Sequence, residues 1–262
     1  MTPRGPILVI DTATTRAVIA LGTTAGAVIE ARSWIAGYRH GEELLARIDA
    51  LLRDHDVVPR GLGGVVVGTG PGAFTGLRVG IATAKGLAHA LGLPIAGVPT
   101  GAALLAAASA VRAASPVPAA SAVPAASAAP PPSAATAASA VPVASGDREG
   151  LVLLQPAGPS DAVMTRTGEA SRIVPGGMLP DLRAGERLVA VDLDGRAAED
   201  AVELGRAAYD GLAAALLAEG AARLARGDAD DLARLVPEYV TLPRGVRDRL
   251  PDEAVEVTGG AG

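Results

Sequence analysis

Residues 65–88 read VVVGTGPGAFTGLRVGIATAKGLA. The apolar run 65–67 has the character of a buried strand. It enters a loop that holds Gly68, Gly70 and Gly72, with Pro71 between the last two. The chain then continues as a helix over 76–91, although Gly76, Gly80 and Gly86 lie within it. Each glycine inside a helix costs roughly 1 kcal/mol relative to alanine. Either the loop and helix hold a phosphate, or a neighbour packs against this helix too closely for side chains to fit.

A phosphate fits poorly. GTGPGA at 68–73 satisfies G-x-G-x-x-A and sits between a strand and a helix. Dinucleotide binding also requires an acid about 20 residues on for the ribose hydroxyl, and none occurs between Asp56 and Asp147. Pro71 has no N–H to offer a pyrophosphate, and no Walker-type Gly-Lys-Ser/Thr follows. The helix face is more informative. Gly76, Gly80, Ala84 and Ala88 recur every four residues and form a bare ridge that a second backbone can approach closely. A strand or helix of the same chain could fill that place. A second subunit is the expectation.

Working outward, 7–10 (ILVI), 17–21 (AVIAL) and 27–31 (AVIEA) read as strands joined by turns at 11–16 and 22–26. Leu44, Leu45, Ile48, Leu51 and Leu52 give 41–55 the period of an amphipathic helix. A strand at 94–98 follows the glycine-bearing helix. The order β-β-β-α-β-α-β predicts an α/β, ribonuclease-H-like core of the kind found in actin-like and sugar-kinase lobes, with mixed sheets flanked by helices. From 106 to 146 the chain is an Ala/Pro/Ser tract with prolines at 116, 118, 124, 130–132 and 142, expected to be a linker or disordered insertion. Strands at 150–154, 162–166 and 187–193 and a long helix at 199–226 predict a second lobe, closed by PEYVTLPRGV at 237–246. The expected division is therefore a first lobe over 1–105, the insertion over 106–146, a smaller second lobe over 147–250 and a disordered tail over 251–262.

Composition narrows the function classes. A net charge of −5 argues against a chain that grips nucleic acid alone. The stretch 57–146 nevertheless carries Arg60, Arg78, Lys85 and Arg112 and no acid, which suits an anion or an acidic partner. With no cysteine there is no disulfide framework and no thiolate chemistry, as in a reducing cytoplasm. ILVI, ended by Asp11, is too short for a signal peptide, and no stretch reads as a membrane span.

IDTATT at 10–15, RHGEELL at 39–45, GTGPGAFTGLRVGIATAKGLA at 68–88, GVPT at 97–100 and PEYV at 237–240 together resemble the TsaB (YeaZ) family. This family is the dimerization subunit of the bacterial machinery that makes N6-threonylcarbamoyladenosine at position 37 of tRNAs. The resemblance is strong over 7–100, moderate over the last helix and PEYV, and faint between 147 and 200. The family usually has His-Ser-Glu where this chain has His40-Gly41-Glu42, and glycine can still serve as a helix N-cap. The resemblance implies a two-lobed actin-like fold and a subunit that is not an enzyme on its own. It also implies pairing through first-lobe helices with the catalytic subunit TsaD, self-pairing when TsaD is absent, and a small ATPase, TsaE, on the assembled complex. tRNA would be met only through that complex. The implied partner surface comprises Glu42, Leu45, Gly76, Arg78, Gly80, Ala84 and Ala88.

Asp11, Thr12, Thr14 and Thr15 occupy the place of the first phosphate hairpin of actin-like enzymes, with Gly70, Gly72 and Thr75 as further contacts. The simpler expectation is that these residues close a turn. A second phosphate loop would have to be VDLDG at 191–195, which has no hydroxyl. The catalytic relatives hold a metal on an H-x-x-x-H pair. Here His40, His55 and His89 are never four apart, so no metal site and no tightly bound cofactor are expected. ATP or ADP at the subunit interface stays open. The alternative function is an actin-like ATPase or small-molecule kinase.

Overall fold

The computed structural model describes residues 5–36, 40–114, 150–158, 160–178 and 180–240. The expected linker beyond residue 114 and the expected disordered tail lie outside the described residues. The first sheet is laid down by β1 (Ile7–Asp11), β2 (Arg16–Gly22) and β3 (Val28–Ile35), then β4 (Gly64–Gly68) and β5 (Ile95–Val98). Their order is β3-β2-β1-β4-β5. β1, β2 and β3 pair antiparallel, and β4 and β5 join in parallel beyond β1. Parallel neighbours need crossovers, which are supplied by α1 (His40–Asp54) before β4 and α2 (Phe74–Leu91) before β5.

β1 is apolar from Ile7 to Ile10 because both of its faces are covered. Leu8 and Ile10 point into a core with Val65, Val67, Leu44, Ile48 and Leu51, completed by Ile81, Ala84 and Ala88 of α2. Ile7 and Val9 point the other way, onto α3 (Thr100–Ala114) and α5 (Leu212–Ala225). That second core also takes in Leu151, Leu153 and Val189 of the other sheet. The other sheet comprises β6 (Leu151–Pro156), β7 (Ala162–Arg166), β8 (Arg172–Val174) and β9 (Arg187–Ala190), and α4 (Glu199–Asp210) lies against β9. Its order, β8-β7-β6-β9, repeats β3-β2-β1-β4: an antiparallel meander with a parallel fourth strand.

Three expectations need correction. Residues 100–114 are helical, so the boundary expected after 105 falls inside α3. Alanine is a strong helix former, no proline occurs before 116, and Leu104, Leu105 and Ala108 are buried against both lobes. The helix expected over 199–226 is two helices parted at Gly211. The helix expected from 76 begins at Phe74.

A buried ion pair holds the connection from β8 to β9. Arg166 and Glu186, with side chains 5% and 6% exposed, meet at 2.8 Å, and Arg166 also donates to the Asp181 carbonyl. Hydrogen bonding from Arg166 holds the Glu186 carboxyl down at about 2. Its folded pKa lies below its unfolded value, so the stability it contributes is present above the usual carboxylate range and is lost as pH falls toward 2. Glu186→Leu would leave a buried guanidinium without its counter-charge, at a cost of about 3 kcal/mol near neutral pH. Urea midpoints measured down the acid limb should show that difference closing; a pH-independent gap would mean that the pair is not ionic in the fold.

Candidate functional site

The turn after β1 is built from inside. Asp11 is fully buried; its Oδ2 accepts from Thr100 Oγ1 at 2.6 Å and its Oδ1 from the Ala13 N–H at 3.0 Å. Thr12 Oγ1 donates to the Gly76 carbonyl at 2.7 Å, and Thr14 Oγ1 to that of Arg16 at 2.8 Å. The glycine-rich loop lies directly on this turn. A β-carbon on Gly68 would fall 1.7 Å from Asp11 Oδ2, and one on Gly72 would fall 2.1 Å from the Ala13 carbonyl oxygen. The Gly70 N–H donates to Thr100 Oγ1 at 3.1 Å. The structure therefore gathers Asp11, Thr12, Thr14, Gly70 and Gly72, and gives each of the three side chains a partner within the chain. Thr75 is exposed in the first turn of α2. VDLDG at 191–195 does reach the hairpin: Asp192 Oδ2 accepts from the Thr15 N–H at 2.7 Å, and Asp194 pairs with Arg206.

Burial raises the Asp11 carboxyl to about 6, against the lowering effect of its two hydrogen bonds. The fold thus favours the neutral form. Stability from this group is full below the ordinary aspartate range and is lost as pH rises through about 6, by about 3 kcal/mol for a shift of about two units. Asp11→Asn does not ionise. Its urea midpoint relative to wild type should therefore rise between pH 4.5 and 7.5; a constant difference would show that Asp11 does not titrate in this window.

The bare ridge on α2 faces inward, which corrects the expected partner surface. Gly76 and Gly80 are buried, and Ala84 and Ala88 are 0% and 1% exposed in the first-lobe core. A β-carbon on Gly80 would lie 2.2 Å from Thr12 Oγ1. The close neighbour of the ridge is the chain's own hairpin and sheet, so these four residues cannot meet a partner while the lobe is folded. Positions two apart on a helix lie about 200° apart, and the opposite row is Arg78, Ala82, Gly86 and Ala90, all exposed. Nothing lies within 4 Å of a β-carbon on Gly86. Beside it on α1, Glu42 is exposed and Leu45 is 56% exposed. Sequence reading overlooked this outer row. The available signal was that Leu77 and Ile81 adjoin Gly76 and Gly80 and so mark the inner face.

The segment after α5 ties these parts together. Asp230 Oδ2 accepts from the Gly97 N–H at 2.6 Å, and Lys85 Nζ donates to the Leu235 carbonyl at 3.1 Å. The Glu238 N–H donates to Thr69 O at 2.8 Å, while Glu238 Oε1 accepts from Ser171 of the second lobe at 3.2 Å. Tyr239 packs on Phe74 with ring centroids 5.1 Å apart, and its hydroxyl accepts from Arg78 Nε at 2.9 Å. Among the described residues no group of three or more His, Cys, Asp or Glu could hold a metal ion, and no helix is long and apolar enough to cross a membrane.

A family model described as TsaD, tRNA N6-adenosine threonylcarbamoyltransferase, matches residues 34–129. An uncharacterized protein of Mycobacterium leprae is 41% identical over 95 residues, which are 35% of this chain and 26% of that protein. The Bacillus subtilis tRNA threonylcarbamoyladenosine biosynthesis protein TsaB is 36% identical over 92 residues, 35% of this chain and 40% of that protein. The chain thus spans less than half the length of these curated relatives. The solved structure of YeaZ from Pseudomonas aeruginosa superposes on 90% of this chain and 99% of its own, with a TM-score of 0.60 and 19% identity. The fold is the two-lobed, actin-like fold of YeaZ, and the resemblance to the TsaB (YeaZ) family read from the sequence is borne out.

Proposed function

We propose that this chain is a non-catalytic scaffold subunit for threonylcarbamoyl transfer to N6 of adenosine 37 in tRNAs, acting by binding and activating a catalytic subunit of the TsaD kind. The observation that carries this is the outward face of α2. Its row of Ala82, Gly86 and Ala90 is exposed and carries no large side chain, so another helix can approach closely there, and the neighbouring α1 exposes Leu45. Together α1 and α2 offer a surface from which a stable interface, on the order of 1,000 Å² or more, can be built. The same face would serve a homodimer when the catalytic subunit is absent. A TsaE-type ATPase would join the assembled pair, with tRNA bound through the complex, in the cytoplasm, and with ATP or ADP at the subunit interface.

The alternative, an actin-like ATPase or small-molecule kinase, requires the 11–16 hairpin to receive a phosphate. Thr12 and Thr14 would first have to give up Gly76 and Arg16. Co-purification from the native cell separates the two: the scaffold brings a catalytic subunit with it and turns over no ATP alone. Steady ATP hydrolysis by the purified chain, without a co-eluting partner, would establish the alternative.

A further inference from the structure

We propose that Arg78 is a pre-set fork for a carboxylate on the protein partner that covers α2, with Phe74 and Tyr239 as the residues that position it; this rests on the assignment of the α1–α2 face to a partner. The chain holds one Phe, three Tyr and one Trp, and two of these five meet around Arg78. The guanidinium carbon lies 3.8 Å from the Phe74 ring centroid and 5.8 Å from that of Tyr239. Nε is committed to the Tyr239 hydroxyl at 2.9 Å. The plane and direction of the group are thereby fixed, although Arg78 is exposed. Among the described residues its two Nη atoms have no carboxylate partner, whereas Arg32, Arg206 and Arg223 each pair with two.

A mobile surface arginine loses side-chain entropy when it is captured; one already clamped by rings loses little. A planar guanidinium with both Nη atoms free matches a carboxylate through two parallel hydrogen bonds. The stretch of chain that carries it suits the same ligand, since residues 57–114 hold Arg60, Arg78, Lys85 and Arg112 and no acid. Arg78 begins the outward row that continues through Ala82 and Gly86, so a helix seated on that row would bring an Asp or Glu to it. Arginine and tyrosine at the centre of a packed contact are the residue types that carry most binding energy.

The test is calorimetric titration of the TsaD-type subunit from the same organism into the full chain and its variants. Arg78→Lys keeps the charge but loses the fork and the stacking, and should bind about tenfold more weakly with an unchanged melting temperature. Tyr239→Phe keeps the ring but frees Nε, and should bind about three- to fivefold more weakly. One Asp or Glu of the partner, changed to Ala, should cause no further loss when combined with Arg78→Lys. Gly86→Leu separates the two layers of inference. If it abolishes binding while Arg78→Lys binds as wild type, the fork is refuted and the partner face stands. If Gly86→Leu also binds as wild type, the face itself is refuted. Should Arg78→Lys leave protein binding intact but weaken tRNA binding by the assembled complex, the group serves a phosphate and the carboxylate proposal is overturned.

Discussion

Gly80→Leu is expected to melt about 6–12 °C below the wild-type chain. The first atom of the new side chain would lie 2.2 Å from Thr12 Oγ1, and Thr12 cannot move aside cheaply. It is β-branched and 1% exposed, and its hydroxyl is held by the Gly76 carbonyl at 2.7 Å. α2 must therefore lift from β1 and β4, with an overpacking cost of about 3 kcal/mol, and the buried hydrogen bond is worth about 1 kcal/mol more. The helix propensity gained by replacing glycine returns about 1 kcal/mol. A net loss of about 3 kcal/mol corresponds to that shift at roughly 2–4 °C per kcal/mol for a chain of this size. Circular dichroism melts decide it: a variant as stable as wild type would mean that the ridge is free after all.

Gly86→Leu should do the opposite. Its β-carbon meets nothing within 4 Å, so the isolated chain should gain up to about 1 kcal/mol from the lost glycine and melt no lower than wild type. Association with the proposed catalytic subunit should weaken by about 100-fold or more, because leucine would stand where two helix backbones come together. Size-exclusion with light scattering on the mixture reads this directly. A stable variant that still forms the complex would place the partner elsewhere than on the outward row.

The contrast between these two glycines marks where sequence reading stops. Sequence reading recovered every element of the first sheet, because the unbroken apolar run of β1 and the leucine spacing of α1 are local patterns. It also found a row of small residues on α2. It passed over the local sign of which row is covered, Leu77 and Ile81, and could not foresee the neighbour that covers it, Thr12, 64 residues away from Gly76. The same holds for Asp11, whose partner Thr100 is 89 residues distant. α3 was misjudged for another reason. Its core contacts are made largely by alanine, at Ala103, Ala107 and Ala108, and such a segment resembles the low-complexity tract that follows until packing distinguishes them. Arg78 was named from the motif, but its fixation by Phe74 and Tyr239 emerges only when residues 161 positions apart are brought together.

The cluster that joins Val9 and Val66 of one sheet to Leu153 and Val189 of the other runs through α3 and α5 without a break. Lobes that open and shut around a substrate need a hinge, and a hinge needs a seam where few apolar contacts are lost on separation. Here the seam is filled by Leu104, Leu105, Leu212 and Leu216, each no more than 1% exposed. Swinging the lobes apart would expose much of this interior to water. Clamshell motion is therefore opposed by the burial of this seam, whose residues lie on α3 and α5, away from α1 and α2.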